Sequence, residues 1–250
     1  MRAADFAPPI CCSPLPKTLT AYPVLATGSV MLTLYGFMRS GNVYKVRLLL
    51  AQLGIAHRRV EVSQLTADTA RPEFRAINPI GKVPTLVFDD GRMLSESGAI
   101  LHYLAAGTRF WPENRWQQAQ VLRWMFFEQY SHEPAIAVNR FLRVYTGSDD
   151  RTSQIESNHR RGMHALGVMD EHLRSYAWFG ADRYSIADMA LYAYTHIADE
   201  GGFDLAPFAN VQRWLDDVRS QPGHILLMQE TSAEPVVNLD GVPVSAAPPP

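Results

Sequence analysis

The stretch "IGKVPTL", residues 80–86, places a proline, Pro84, where a strand is about to start. Proline has no N–H to give to a sheet ladder, so it is tolerated at sheet edges, strand starts or bulges. A cis X–Pro bond is the other use of such a residue, and cis prolines are structural devices rather than accidents. If Val83 and Pro84 close an exposed edge, the Val83 backbone is left for a partner other than the sheet.

Upstream of this stretch, "LTLYGF" (32–37) alternates and reads as a strand. In "VYKVRLLLAQLG", Val43, Val46, Leu50 and Leu53 recur at helical spacing, and Gly54 is a suitable residue to follow the helix. His57 to Val62 reads as a second strand. A strand, helix and strand within about 30 residues make a βαβ unit, so these two strands are expected to be parallel. "RPEFRAIN" allows a short helix. Downstream, "TLVFDDGRML" reads as a hairpin turning at Asp90-Gly91, and "SESGAILHYLAAG" as a helix ending near Gly107. The order is β-α-β-α-β-β-α.

After Trp111-Pro112 the strand pattern stops. Residues 114–145, 152–175, 185–198 and 209–219 read as helices, and Pro134 should kink or break the first of them. Ser185 and Asp188 have the spacing of an N-cap and its N3 partner, with Tyr184 and Met189 placed as a hydrophobic staple. The chain therefore divides into an α/β unit at 31–107 and an all-α domain at 114–229. Residues 1–30, with Pro8, Pro9, Pro14, Pro16 and Pro23 and no periodic pattern, read as a disordered N-terminal extension. Residues 230–250 read as a flexible Pro/Ala-rich tail.

Composition narrows the function classes. The chain has 250 residues, 47% of them hydrophobic, and a formal net charge of −2. Nothing in that balance calls for nucleic acid or an anionic membrane as partner. No apolar run approaches the roughly 18 residues of a membrane span. Prolines interrupt the apolar stretch near the N-terminus, making it a poor signal peptide. The only cysteines, Cys11 and Cys12, are adjacent and form no disulfide framework, so a reducing, cytoplasmic setting is expected. None of the eight histidines pairs with another at i, i+4, and "HEP" (132–134) lacks the second histidine of a zinc motif, so no metal is expected. There is no C-x-x-C, G-x-G-x-x-G or P-loop.

Four features taken together, in this order and spacing, resemble the cytosolic glutathione transferases: the β-α-β-α-β-β-α unit, "NPIGKVPTL", "SESGAILHYL" and "SIADMALYAY". The resemblance covers about residues 31–228 and leans toward bacterial, theta-, zeta- and nu-like members with a serine or asparagine in the site. It implies a thioredoxin-like domain followed by a helical bundle domain. It also implies that the bond matching Val83-Pro84 is cis, and that the Val83 backbone holds the cysteinyl unit of glutathione in the manner of strand addition. Residues matching Ser97 hold the γ-glutamyl carboxylate and those matching Glu96 the γ-glutamyl amino group. A helix N-terminus suits the carboxylate. Lys82 is placed to meet the glycyl end.

The activating group is expected in "MRSGNVYK" (38–45). Alignment with zeta-type transferases puts Ser40 on their catalytic serine, and Asn42 is the second choice because some bacterial members use an asparagine there. The thiol of glutathione ionises little at neutral pH, so a donor that stabilises the thiolate is needed. In the family the acceptor site is built partly from the first helix of the second domain. Here that makes Trp124, Phe127, Tyr130 and His132 candidates for a pocket wall. The implied activity is conjugation of glutathione, as co-substrate and without a metal, to a small hydrophobic electrophile by a homodimeric enzyme. Alternatives on the same site are glutathione-dependent disulfide reduction, an isomerisation of the maleylacetoacetate type, or a non-catalytic binding or regulatory role.

Overall fold

The computed structural model describes residues 31–146 and 151–244. The proposed N-terminal extension 1–30, with Cys11 and Cys12, and the last six residues lie outside it. The first domain contains β1 (Leu32–Tyr35), α1 (Gly41–Leu53), β2 (His57–Val60), α2 (Pro72–Ile77), β3 (Thr85–Val87), β4 (Met93–Ser95) and α3 (Ser97–Ala105). The sheet order is β2-β1-β3-β4. β1 and β2 are parallel, as the βαβ spacing requires, and β3 is antiparallel to both β1 and β4. This is a thioredoxin-like arrangement. The second domain is helical: α4 (Arg115–Phe127), α5 (Glu133–Phe141), α6 (Thr152–Leu173), α7 (Ile186–Thr195) and α8 (Ala209–Arg219). Among the described residues, no helix is long and apolar enough to cross a membrane.

α1 holds the two domains together. It starts at Ser40, whose hydroxyl accepts from the Val43 N–H, and ends at Gly54, which takes the left-handed conformation (φ 67°) that glycine adopts at little cost. The helix packs on α3 on one side and on α7 on the other. With protein on both sides, even its polar residues are covered. Arg47 is fully buried and donates to the carbonyls of Leu227 and Gln229, while Lys45 forms a buried ion pair with Glu128 at 2.8 Å. Tyr44 donates to the Ile225 carbonyl at 2.7 Å. The chain beyond α8 is thus tied back onto the first domain.

α7 begins with the reciprocal cap anticipated at Ser185 and Asp188. The Asp188 carboxylate also accepts from the Phe179 N–H at 2.9 Å and the Trp214 indole N–H at 3.0 Å, so one buried side chain joins the loop before α7 to α8. Ahead of Pro134 the regular α-helix breaks off at Phe127. Glu128–His132 form a π turn that leads directly into α5. Proline offers no N–H and its ring crowds the carbonyl four residues back, and widening the preceding turn relieves both problems.

The C-terminal segment corrects the sequence reading. Residues 230–244, expected to be loose, lie along the outer edge of β2. Val237 forms a parallel bridge with Val60, and its carbonyl accepts from the Glu61 N–H at 2.8 Å. Glu230 pairs with buried Arg59 at 2.8 Å, Glu234 with Arg58 at 2.7 Å, and Asp240 with Arg71 at 2.6 Å. The prolines and alanines suggested a coil, but an unpaired strand edge accepts any extended chain that brings backbone donors and acceptors to it.

Candidate active site

The strand register gathers the site. Tyr35 pairs with Thr85, and Thr85 pairs with Ser95. The loop leaving β1, the residues entering β3 and the residues leaving β4 therefore meet at one end of the sheet. These carry Ser40 and Asn42, Val83 and Pro84, and Glu96 and Ser97. A side-chain contact joins two of the three segments directly: the Ser97 hydroxyl lies 3.4 Å from the Asn42 amide oxygen.

The Val83–Pro84 bond is cis. Val83 lies outside the ladder, whose β3 pairs begin at Thr85, so its backbone is not used by the sheet. Buried Asn78 shapes the turn, donating to the Lys82 carbonyl at 2.8 Å and the Thr85 hydroxyl at 3.0 Å. Gly81 adopts φ 64°, and a Cβ there would come within 2.4 Å of the Arg75 guanidinium. Lys82 is exposed beside Val83.

Glu96 precedes α3 with φ 69°, a conformation unfavourable for a residue with a side chain and one that tends to occur at ligand-binding positions. Its carboxylate is exposed, while Ser97 is buried at the first turn of α3, where unpaired N–H groups and the positive end of the helix dipole face outward. A carboxylate and a hydroxyl next to a helix N-terminus suit the amino and carboxyl ends of one zwitterion. Glu96 also borders a cavity of about 380 Å³ between α3 and α4, whose wall includes Met125 and Phe126 and whose polar lining includes Lys45 and Glu128.

Ser40 and Asn42 differ in what their polar atoms already do. The Ser40 oxygen accepts from the Val43 N–H at 3.4 Å, which leaves its hydroxyl hydrogen available. The Asn42 amide is held on both sides. Its oxygen accepts from Lys45 at 2.8 Å and faces Ser97, and its nitrogen donates to Glu133 at 3.5 Å. Burial pushes the Glu133 carboxyl above its ordinary pKa, with Lys45 opposing the shift.

Of the four residues expected to line an acceptor wall, Trp124 and His132 lie in the core while Phe127 and Tyr130 remain accessible. Trp124 is a core side chain, its ring 4.6 Å from Phe179 and 4.7 Å from His172. Phe127 packs edge-on against Trp124. Tyr130 is 83% exposed. His132 is fully buried, with Nε2 2.9 Å from the Thr195 hydroxyl, and burial followed by the charge of Lys45 lowers its pKa to about 3. Regular helical spacing would put several of these side chains on related faces. The π turn adds a residue between them and rotates the next stretch of helix by about 100°.

Two charged groups at the site, Arg140 and Glu200, had no sequence signal. Arg140 on α5 donates to the Arg39 carbonyl at 3.0 Å across 101 residues and holds the Glu200 carboxylate at 2.8 Å. Lys45 did carry a signal: a lysine inside the apolar run "VYKVRLLL" must be paired if the helix is buried. Among the described residues, no group of three metal-ligating side chains comes together.

Family models for the glutathione S-transferase N-terminal and C-terminal domains match residues 34–108 and 132–222. The chain is 30% identical to the disulfide-bond oxidoreductase YfcG of Escherichia coli over 213 residues, covering 82% of this chain and 98% of that protein. The crystal structure of a glutathione S-transferase from Pseudomonas fluorescens superposes with a TM-score of 0.78 at 46% identity, covering 80% of this chain and all of the other. A glutathione transferase from Pseudomonas putida, solved with glutathione disulfide bound, superposes with a TM-score of 0.68 at 28% identity, covering 77% of this chain and 88% of that one. With both domain models matched and the three segments meeting at one end of the sheet, the chain belongs to the glutathione S-transferase family.

Proposed function

We propose that this protein binds reduced glutathione at the gathered end of the sheet and activates its thiol with Ser40 for transfer to a small electrophile. The observation that carries the reading is the meeting of the cis Val83–Pro84 turn, the Glu96–Ser97 helix start and the Ser40 loop. The unused Val83 backbone would pair with the cysteinyl unit, Ser97 with the γ-glutamyl carboxylate, Glu96 with the γ-glutamyl amine, and exposed Lys82 with the glycyl carboxylate.

This placement brings the sulfur to the β1–α1 loop. A free thiol has a pKa near 8.5, and each unit of lowering takes about 1.4 kcal/mol of preferential interaction with the thiolate. The Ser40 hydroxyl can donate one charge-assisted hydrogen bond of that order. The thiolate then forms the S–C bond. In a substitution the leaving group departs with its electron pair; in an addition the pair moves onto the acceptor, which takes a proton from solvent. Ser40 keeps its own proton throughout.

The test is the ultraviolet thiolate absorbance of glutathione mixed with the protein at neutral pH, wild type beside Ser40→Ala. A signal in the wild type that disappears in the variant is expected, with turnover lowered about 100-fold, as for loss of one preorganised donor. A signal unchanged by the substitution would remove Ser40 from the role.

A second reading is reduction of glutathione-containing disulfides. It is supported by the similarity to YfcG, a named disulfide-bond oxidoreductase, and to the Pseudomonas putida protein with glutathione disulfide bound. In that reading Asn42 is the donor, and Asn42→Ala rather than Ser40→Ala would abolish disulfide turnover.

A further inference from the structure

A cluster of charged and aromatic side chains lies against the β1–α1 loop, and thiol activation does not use it. Arg39 immediately precedes Ser40. Arg140, buried on α5, takes the Arg39 carbonyl through Nη1 and the Glu200 carboxylate through Nε. The Arg39 guanidinium reaches the same carboxylate oxygen only at 3.5 Å, and its side chain stays 32% exposed. Two guanidiniums therefore share one carboxylate, and Arg140 holds it more closely.

Both guanidiniums lie over the Tyr145 ring, at 5.9 and 5.8 Å, and that ring also meets Phe37 and Phe141. Three polar atoms of this cluster have no hydrogen-bond partner among the described residues: Arg39 Nε, Arg140 Nη2 and the Tyr145 hydroxyl. Glu61, whose carboxylate lies 3.4 Å from the Met38 N–H, is already paired with Arg59. Those three atoms of the cluster are covered, but the Arg39 side chain is one-third exposed and only loosely held by Glu200, and a guanidinium fork is shaped for a carboxylate. Aromatic faces beside it suit an apolar body.

We propose that the acceptor side of the site takes an electrophile with an apolar or aromatic body and a carboxylate, the carboxylate pairing with Arg39. The proposal rests on the reading that glutathione binds with its sulfur beside Ser40, and it specifies the class of second substrate. The anion is held one residue from the thiolate donor, which orients the body along Phe37 and Tyr145. Arg140 is a positioning residue, fixing the loop through the Arg39 carbonyl.

Calorimetry on the full chain tests this with three probes: glutathione, S-butylglutathione and S-(3-carboxypropyl)glutathione. The last two differ in whether the sulfur substituent ends in a methyl group or a carboxylate. Wild type is expected to bind the carboxylated thioether about tenfold more tightly than the butyl one, the gain from one charge-assisted contact. Arg39→Gln should abolish that preference and Arg39→Lys should retain part of it.

Equal affinities in the wild type, a preference that survives Arg39→Gln, or failure of both thioethers to bind where glutathione binds would overturn the proposal alone. Failure of glutathione itself to bind would overturn the reading beneath it as well. If Arg39→Gln does not fold, the wild-type comparison and Arg39→Lys still decide the matter.

Discussion

Ser40 and Glu96 act through features that a sequence carries unevenly. The placement of each before a helix is legible from the apolar periodicity of the helix itself, because a helix needs a residue to satisfy its first N–H groups. The φ of 69° at Glu96 is not legible, since no residue type other than glycine announces a left-handed backbone. That φ sets the direction of the Cα–Cβ bond, and the χ angles then place the carboxylate. Glu96→Ala should therefore raise the Kd for glutathione by about 10- to 100-fold, the worth of one charged hydrogen bond, and unchanged affinity by calorimetry would remove Glu96 from the site. His132, a candidate wall residue on sequence alone, is a core residue kept neutral by burial. Its native pKa, about 3, lies below the ordinary 6.5, so between those values the unfolded chain binds more protons than the folded one. Stability then rises with pH across that window and is lost as pH falls below 6.5, by about 2 kcal/mol at pH 5 from this one group. Urea midpoints at pH 7 and pH 5 should show the drop, and His132→Gln should make the dependence shallower.

At the scale of elements, the helix α7 and the π turn before α5 differ in how far local sequence decided them. "YSIAD" contains the whole cap of α7: a serine, its N3 carboxylate, and the apolar residues that bury them. Only the further use of Asp188, accepting from Phe179 and from Trp214 on α8, required the fold. Asp188→Ala would leave two buried N–H donors and an indole N–H unpaired, so the loss should exceed that of a surface cap, about 3–5 kcal/mol, read as a fall in the urea midpoint with the helix content retained at low denaturant. The π turn was visible only as Pro134, which said that regular geometry would fail nearby but not whether the chain would kink or widen. Widening rotated the helix face after residue 128. Of the residues expected to line an acceptor wall, those past residue 128 follow this rotation, Tyr130 exposed and His132 buried, whereas Trp124 lies before it and is in the core through its packing on Phe179.

Across the whole molecule, contacts between distant parts of the chain place the site. Arg59, 5% exposed in β2, contacts the Gly36 carbonyl and Glu61 near the loop that leads to Ser40, and its guanidinium is also held by Glu230 from the C-terminal segment. Burial works to raise the Glu230 carboxyl, but hydrogen bonds and charge from Arg59, with the Ser232 and Thr231 N–H groups, draw it below its ordinary pKa. Ending the chain at residue 229 would remove that carboxylate, the Val60–Val237 bridge and the cover over the β2 edge together. The expected cost is about 2 kcal/mol, seen as a melting temperature lower by about 4–8 °C, and an unchanged melting temperature would mean the segment adds nothing to the fold.

By itself the sequence determined the element order, the parallel β1–β2 pair, the boundary between the α/β and helical parts, and the motifs from which glutathione binding was expected. The elements and their order arise from periodicity, turn chemistry and capping, which act over a few residues, whereas glutathione binding was expected only from the resemblance of those motifs to a known family. Only the tertiary structure decided that Asn42 is locked between Lys45, Ser97 and Glu133, that Arg39 and Arg140 share Glu200, and that a proline-rich tail closes a sheet edge. Each of those depends on pairing charges and backbone groups far apart in the chain, where the cost of leaving a buried polar group unpaired acts only after the chain has folded.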